Sequence, residues 1–131
     1  MSKQALRGLA TYQTTRVESA PPEQILVMIF QAILLRLEAS VQAIEEGETN
    51  TLHSKLHEAR TLFGELLSGL DDEAFPELCA RLRRLYGWCI RELVSAERER
   101  SAEMLRGVMA VAESLLEGWE EAARRISEGA A

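Results

Sequence analysis

Two stretches in the second half of the chain place apolar residues three and four positions apart, and this spacing most constrains the fold. The first stretch has spacings of 3, 4, 3, 4, 4 and 3, and the second alternates 3 and 4 strictly. This periodicity puts the apolar side chains of each stretch on one face of an α-helix, and that face must be buried against other helices. The two sets are Phe75, Leu78, Leu82, Leu85, Cys89, Leu93 and Ala96, then Leu105, Val108, Ala112, Leu115, Trp119, Ala122 and Ile126.

The first half of the chain predicts two more helices. Ser19-Ala20-Pro21-Pro22 breaks the chain, because proline fixes its own φ and pushes the preceding residue out of the α region. We expect one helix from about Pro22 to Glu46, ended by Gly47, and another from about Thr51 to Ser68, ended by Gly69.

Four amphipathic helices joined by short connections predict an all-α, antiparallel four-helix bundle. The 131 residues suffice for one core without disulfides, and Ser101 is a suitable N-cap for the fourth helix. We expect a partly flexible N-terminal arm over 1–21, the bundle over 22–127 and a frayed tail over 128–131.

Charge and hydropathy argue against two classes of partner. The net charge is -6 and the chain has no basic stripe to neutralise phosphates, so we expect no nucleic acid. The most apolar run, Ile25 to Leu37, is interrupted by Gln31 and Arg36 and is shorter than the roughly 20 residues of a bilayer span. We therefore expect no stable membrane insertion, and the first twenty residues do not have the apolar core of a signal peptide.

The cysteines and histidines suggest no catalytic chemistry. Cys79 and Cys89 would lie about 15 Å apart on one helix, too far for a disulfide, which favours reduced thiols in the cytoplasm. His53 and His57 share a helical face and could bind a metal or transfer a phosphoryl group, but the motifs that complete either site are absent. We predict no enzyme, no cofactor and no metal, with histidine phosphotransfer as a less favoured alternative.

Four blocks agree in order and spacing with one known family. They are Tyr12 with Val17-Glu18-Ser19-Ala20-Pro21-Pro22-Glu23-Gln24-Ile25-Leu26-Val27-Met28-Ile29-Phe30, then Leu70-Asp71-Asp72-Glu73, then Leu85-Tyr86 with Trp88-Cys89-Ile90-Arg91, Leu93 and Ala96, and finally Val108 with Trp119. Over residues 12–125 the chain thereby resembles the FliS family of flagellin-specific export chaperones. The resemblance implies a cytoplasmic bundle that binds the disordered C-terminal region of flagellin, prevents premature polymerisation and helps delivery to the flagellar export gate.

The resemblance also implies where a partner binds. Helix one is apolar nearly all round in its front half, more than a bundle-edge helix needs. The arm residues Tyr12 and Val17 would cover the client groove, or serve as a packing anchor. We expect Trp119, in the seam of the fourth helix, to be a bundle plug outside the site. The predicted partner-binding residues are Tyr12, Val17, Pro22, Ile25, Leu26, Ile29, Leu85, Tyr86 and Cys89.

Several positions depart from the family pattern and leave the client open. Gln31-Ala32 stands where the family usually carries Asp-Gly, Ala96-Glu97 replaces Ala-Asn, Ser101 replaces an Asp and Arg106 takes an acidic place. The alternative hypothesis is a divergent helical adaptor that binds another secreted or regulatory protein. The sequence leaves the oligomeric state undetermined.

Overall fold

The computed structural model describes residues 22–129 and folds them into four α-helices. The helices are α1 Pro22–Glu46, α2 Thr49–Ser68, α3 Pro76–Glu99 and α4 Ala102–Gly129. No strand occurs within the described range, which confirms the predicted all-α class. The arm over 1–21 lies outside that range, and α4 includes residues 128 and 129, which we assigned to the tail.

The α1–α2 turn depends on one glycine. Gly47 has a φ of 71°, in the left-handed region that residues with a Cβ rarely adopt. The amide of Glu48 then donates to the Ala43 carbonyl across 2.9 Å, which satisfies one of the last free carbonyls of α1. The chain reverses within two residues, and α2 begins at Thr49, slightly earlier than we predicted.

The α3–α4 turn is equally short but uses a non-glycine residue. Arg100 adopts the left-handed conformation with a φ of 52°, and the Ser101 amide donates to the Ala96 carbonyl across 3.0 Å. The Ser101 hydroxyl accepts a hydrogen bond from the Met104 amide at 3.1 Å. This bond confirms Ser101 as the N-cap of α4.

The helices form a closed ring in which α1 and α3 each pack against both α2 and α4. Because consecutive helices are joined by short connections, neighbours run antiparallel, as predicted. Tyr86 of α3 lies at the centre of an aromatic cluster, with its ring centroid 6.3 Å from that of Phe30 on α1 and 6.1 Å from that of Phe63 on α2. These three rings hold α1, α2 and α3 together across the core.

Each of the two apolar seams is buried near the α3–α4 turn and exposed at its other end. Six seam residues have no exposed surface: Cys89, Leu93, Ala96, Leu105, Val108 and Ala112. By contrast, Phe75 is 63% exposed, Leu78 49% and Ile126 53%, so the expectation that these residues face the core was wrong. Phe75 precedes the first residue of α3, and α4 has 28 residues against 24 in α3. Each seam therefore extends beyond the neighbouring helices that could cover its exposed end.

Helix α1 extends well beyond the apolar run Ile25 to Leu37 that the sequence analysis compared with a bilayer span. An 18-residue window within Pro22–Glu46 has a mean hydropathy of 1.6, so by length and composition alone α1 is long and apolar enough to cross a membrane. In the bundle, however, the four consecutive residues from Val27 to Phe30 are all buried. Contacts with both α2 and α4 explain why α1 lacks a polar face there.

Candidate functional site

A groove of about 420 Å³ opens at the end of the bundle where α1 begins and α2 ends. All four helices and the α2–α3 connection contribute to it. Its lining residues are Pro22, Ile25, Leu26, Glu65, Leu66, Gly69, Leu70, Asp71, Phe75, Leu78, Cys79, Leu82, Tyr86 and Trp119. Most of these side chains are apolar, so the groove is suited to an apolar segment.

The α2–α3 connection positions the exposed edge of the groove. The Asp71 side chain accepts from the Ala74 amide at 3.2 Å, and the Asp71 carbonyl accepts from the Phe75 amide at 3.1 Å. Beside this turn, Arg83 Nε donates to Asp72 Oδ1 at 3.1 Å, and this hydrogen bond lowers the pKa of the exposed Asp72 carboxyl. The turn therefore holds Phe75 directly before α3.

Two large apolar side chains of the groove remain open to solvent. Phe75 is 63% exposed and Leu78 is 49% exposed, and both line the groove. Burying such a side chain fully stabilises an assembly by about 1.5–3 kcal/mol. A partner that covers Phe75 and Leu78 therefore gains binding free energy that the isolated chain does not use.

Two α3 groups beside the groove stay neutral, namely Tyr86 in the lining and Cys89 in the core. Burial, with a smaller effect from Cys89, raises the pKa of the Tyr86 phenol to about 12. Burial likewise raises the pKa of the Cys89 thiol to about 12, with a further contribution from the charge of Glu92. Neither group ionises at neutral pH, so Tyr86 offers the groove shape and apolar contact, and Cys89 in the core holds no thiolate nucleophile.

The structure separates the predicted partner-binding residues into four groups. Pro22, Ile25, Leu26 and Tyr86 line the groove. Ile29 and Cys89 lie in the core with 0% exposure, and Leu85 is half-buried outside the groove lining. Tyr12 and Val17 lie outside the described residues. The groove thus unites some of the α1 and α3 positions that the sequence suggested, with Tyr86 in the lining and the adjacent Leu85 outside it.

Several groove residues were not identified from the sequence. They are Glu65, Leu66, Gly69, Leu70, Asp71, Phe75, Leu78, Cys79, Leu82 and Trp119. Trp119, which we assigned as a bundle plug, is half-buried and lines the groove while also packing on the core. A useful signal was Pro76, since a proline at the first helical position places the preceding Phe75 outside the helix.

The histidine pair lies at the opposite end of the bundle from the groove. His53 Nδ1 is 2.7 Å from Glu97 Oε2, and the His53 and His57 ring centroids are 6.5 Å apart. Arg60 Nη1 also donates to Glu97 Oε1, at 3.3 Å. Residues 22–129 contain no group of three or more His, Cys, Asp or Glu side chains placed to hold a metal ion.

Comparison with known protein families finds one family that matches most of the chain, including the whole bundle up to residue 126. The family described as "Flagellar protein FliS" matches residues 5–126. The chain belongs to the FliS family. This result confirms the resemblance inferred from the four sequence blocks, and it places the chain among flagellum-biogenesis chaperones.

Curated FliS relatives match over nearly their whole length. The flagellar secretion chaperone FliS of Salmonella typhimurium is 26% identical over 125 residues, covering 92% of this chain and 93% of the relative. FliSB of Pseudomonas aeruginosa is 28% identical over 120 residues, covering 88% and 95%. FliS of Bacillus subtilis is 26% identical over 111 residues, covering 85% and 82%. These relatives are named chaperones, a class of binding proteins and not of enzymes.

Proposed function

We propose that the chain is a cytoplasmic chaperone that binds the C-terminal helical segment of flagellin through the groove. By holding that segment it prevents premature polymerisation, and it assists delivery of flagellin to the flagellar export gate for type III secretion. Membership of the FliS family supports the chaperone role. The observation that carries the proposal is the open apolar groove, with Phe75 and Leu78 exposed at its edge.

The groove meets the physical requirements of a client that folds on binding. A disordered segment loses conformational entropy when it becomes a helix, and only buried apolar surface can offset that loss. The groove offers partly exposed apolar residues from three helices, including Leu26 on α1, Leu78 on α3 and Trp119 on α4. An amphipathic helix laid into it contacts all three through one apolar face.

The proposal is tested by calorimetric titration with the C-terminal segment of flagellin from the same genome. We expect one-to-one binding and a negative heat-capacity change, the signature of apolar burial. Two leucines provide matched variants, because Leu78 lines the groove whereas Leu35 on α1 is 63% exposed and does not line it. Leu78→Asp should weaken binding at least about tenfold, since an unpaired buried charge is costly. Leu35→Asp should leave binding unchanged.

Two results would contradict the proposal. Absence of binding by the folded wild-type protein would assign the groove to another secreted or regulatory client. Equal losses of affinity in Leu78→Asp and Leu35→Asp would show that the client binds elsewhere on the bundle. Circular dichroism of each variant establishes that the helices remain folded before affinities are compared.

A further inference from the structure

The groove contains one carboxylate oxygen that the surrounding protein does not satisfy. Oε2 of Glu65, in the last turns of α2, is shielded from solvent and accepts no hydrogen bond from the described part of the chain. Glu65 is at the same time one of the groove-lining residues, next to Leu66. Burial of an unpaired polar atom is unfavourable, and it is more so for a carboxylate than for a neutral group.

The charge distribution around the groove indicates which kind of group would satisfy Glu65. Among the described lining residues the only other charged side chain is Asp71, which is also acidic, and none is Lys, Arg or His. The nearby Arg83 is paired with Asp72. The groove is therefore apolar with a net negative charge, and a cation from outside would meet no competing positive charge in its lining.

We propose that Glu65 is a specificity determinant that pairs with a Lys or Arg side chain of the bound client helix. This inference rests on the proposed function and adds the chemistry of the client. The client helix would place apolar residues against Leu26 and Leu78 and one basic residue beside the half-buried Glu65 side chain, whose rotation brings Oε2 to the groove surface. Once the helix excludes water, the charge-assisted hydrogen bond is stronger than one at an exposed surface.

The test compares the wild-type protein with Glu65→Gln, which keeps the side-chain shape and removes the charge. At low salt we expect Glu65→Gln to bind the flagellin segment about tenfold more weakly, as for loss of a charged hydrogen bond. Affinity should also depend less on salt in Glu65→Gln, because one ion pair that salt screens is missing. Glu113→Gln is the matched control, since Glu113 is exposed on α4 outside the groove lining. It changes the net charge equally and should leave both quantities as in the wild type.

The client side of the pair is tested by changing the flagellin segment and measuring its binding both to the wild-type protein and to Glu65→Gln. Each Lys and Arg of the flagellin segment is replaced in turn by Gln. One replacement should weaken binding to the wild type about tenfold and have little effect on binding to Glu65→Gln. The two substitutions then act on the same pair.

The outcomes separate this inference from the proposed function. If the wild type binds the segment and Glu65→Gln matches it in affinity and salt dependence, the pairing is overturned while the chaperone role stands. The same conclusion follows if no basic residue of the segment shows the coupling, which would leave water or a neutral donor as the partner of Glu65. If the wild type does not bind the segment, the proposed function itself is wrong.

Discussion

Arg60 Nη1 of α2 donates to Glu97 Oε1 of α3 across 3.3 Å and connects two helices at the end of the bundle farthest from the groove. The other oxygen of Glu97 lies 2.7 Å from His53 Nδ1. Partial burial alone would raise the pKa of Glu97, but the hydrogen bonds from His53 and Arg60 outweigh it and lower that pKa. Charged groups on α2 and α3 thus add to the apolar packing of the core at this end of the bundle.

Loss of the Glu97 charge should reduce stability at neutral pH. We expect Glu97→Gln to lower the free energy of unfolding by about 1 kcal/mol, because the pair is only partly shielded from solvent. The measurement is urea unfolding followed by circular dichroism. Glu45→Gln is the control, since Glu45 and Arg106 form an exposed pair at 3.5 Å whose loss should change stability by less than about 0.5 kcal/mol.

The same carboxylate predicts an acid limit to stability. A carboxyl whose pKa is lowered in the folded state stabilises that state fully above its unfolded pKa, near the ordinary value of 4.5. This contribution is lost as the pH falls below that value and through the folded pKa. The stability difference between wild type and Glu97→Gln should therefore shrink on acidification. A difference that stayed constant from neutral to acid pH would contradict the assignment.

The left-handed residue of the α3–α4 turn is a site where stability can be gained. Arg100 has a φ of 52°, a conformation that glycine adopts without a steric penalty. Arg100→Gly should raise the free energy of unfolding by about 1 kcal/mol, less the small contribution of its exposed hydrogen bond to Thr49. Arg98→Gly, in the last turn of α3, should lower it by about 1 kcal/mol. Thermal unfolding of the two variants should shift in opposite directions.

The two thiols should differ in reactivity although both are buried. Cys79 lines the groove, whereas Cys89 has 0% exposure and a pKa raised to about 12 by burial. With a thiol reagent at mildly alkaline pH, Cys89→Ala, which keeps Cys79, should be labelled faster than Cys79→Ala, which keeps Cys89. Bound client should slow the labelling of Cys79. Equal rates in the native state would mean that both thiols react only after unfolding.

Tyr86 should contribute mainly through its ring. Tyr86→Ala removes contacts with Phe30 and Phe63 and should lower the free energy of unfolding by about 3–5 kcal/mol. Tyr86→Phe keeps the ring and should cost less than about 1.5 kcal/mol. Absorbance titration should show that this phenol ionises only near pH 12, where burial places its pKa. A loss in Tyr86→Phe as large as in Tyr86→Ala would assign the role to the hydroxyl.

The sequence predicted the middle of the bundle well because periodicity alone determines which face of a helix is buried. Cys89 and Leu93 on α3, and Leu105 and Val108 on α4, all have 0% exposure as their spacing indicated. Periodicity does not determine where the neighbouring helix ends. Phe75 continues the same seam, but it precedes α3 and remains exposed.

The candidate site was harder to predict because core and groove positions share the same apolar residue types. Leu26 and Ile29 lie within one turn of α1, yet Leu26 lines the groove and Ile29 has no exposed surface. Only the position of α2 and α4 beside α1 distinguishes them. Glu65 gave no sequence signal at all, since a glutamate between Gly64 and Leu66 also fits an ordinary solvated helix face. The shielding of its Oε2 depends on the tertiary packing around it.

The two ends of α3 are joined to their neighbouring helices by connections of unequal length. One end is fixed by the two-residue turn at Arg100 and Ser101, while the other is attached to α2 through the longer segment that ends at Phe75. With 24 residues, α3 is about 36 Å long. A tilt of about 5° at the fixed end moves the Phe75 end by roughly 3 Å, about half a helix pitch. For a rigid helix attached in this way, any change of tilt therefore displaces the groove mouth most and the α3–α4 turn least.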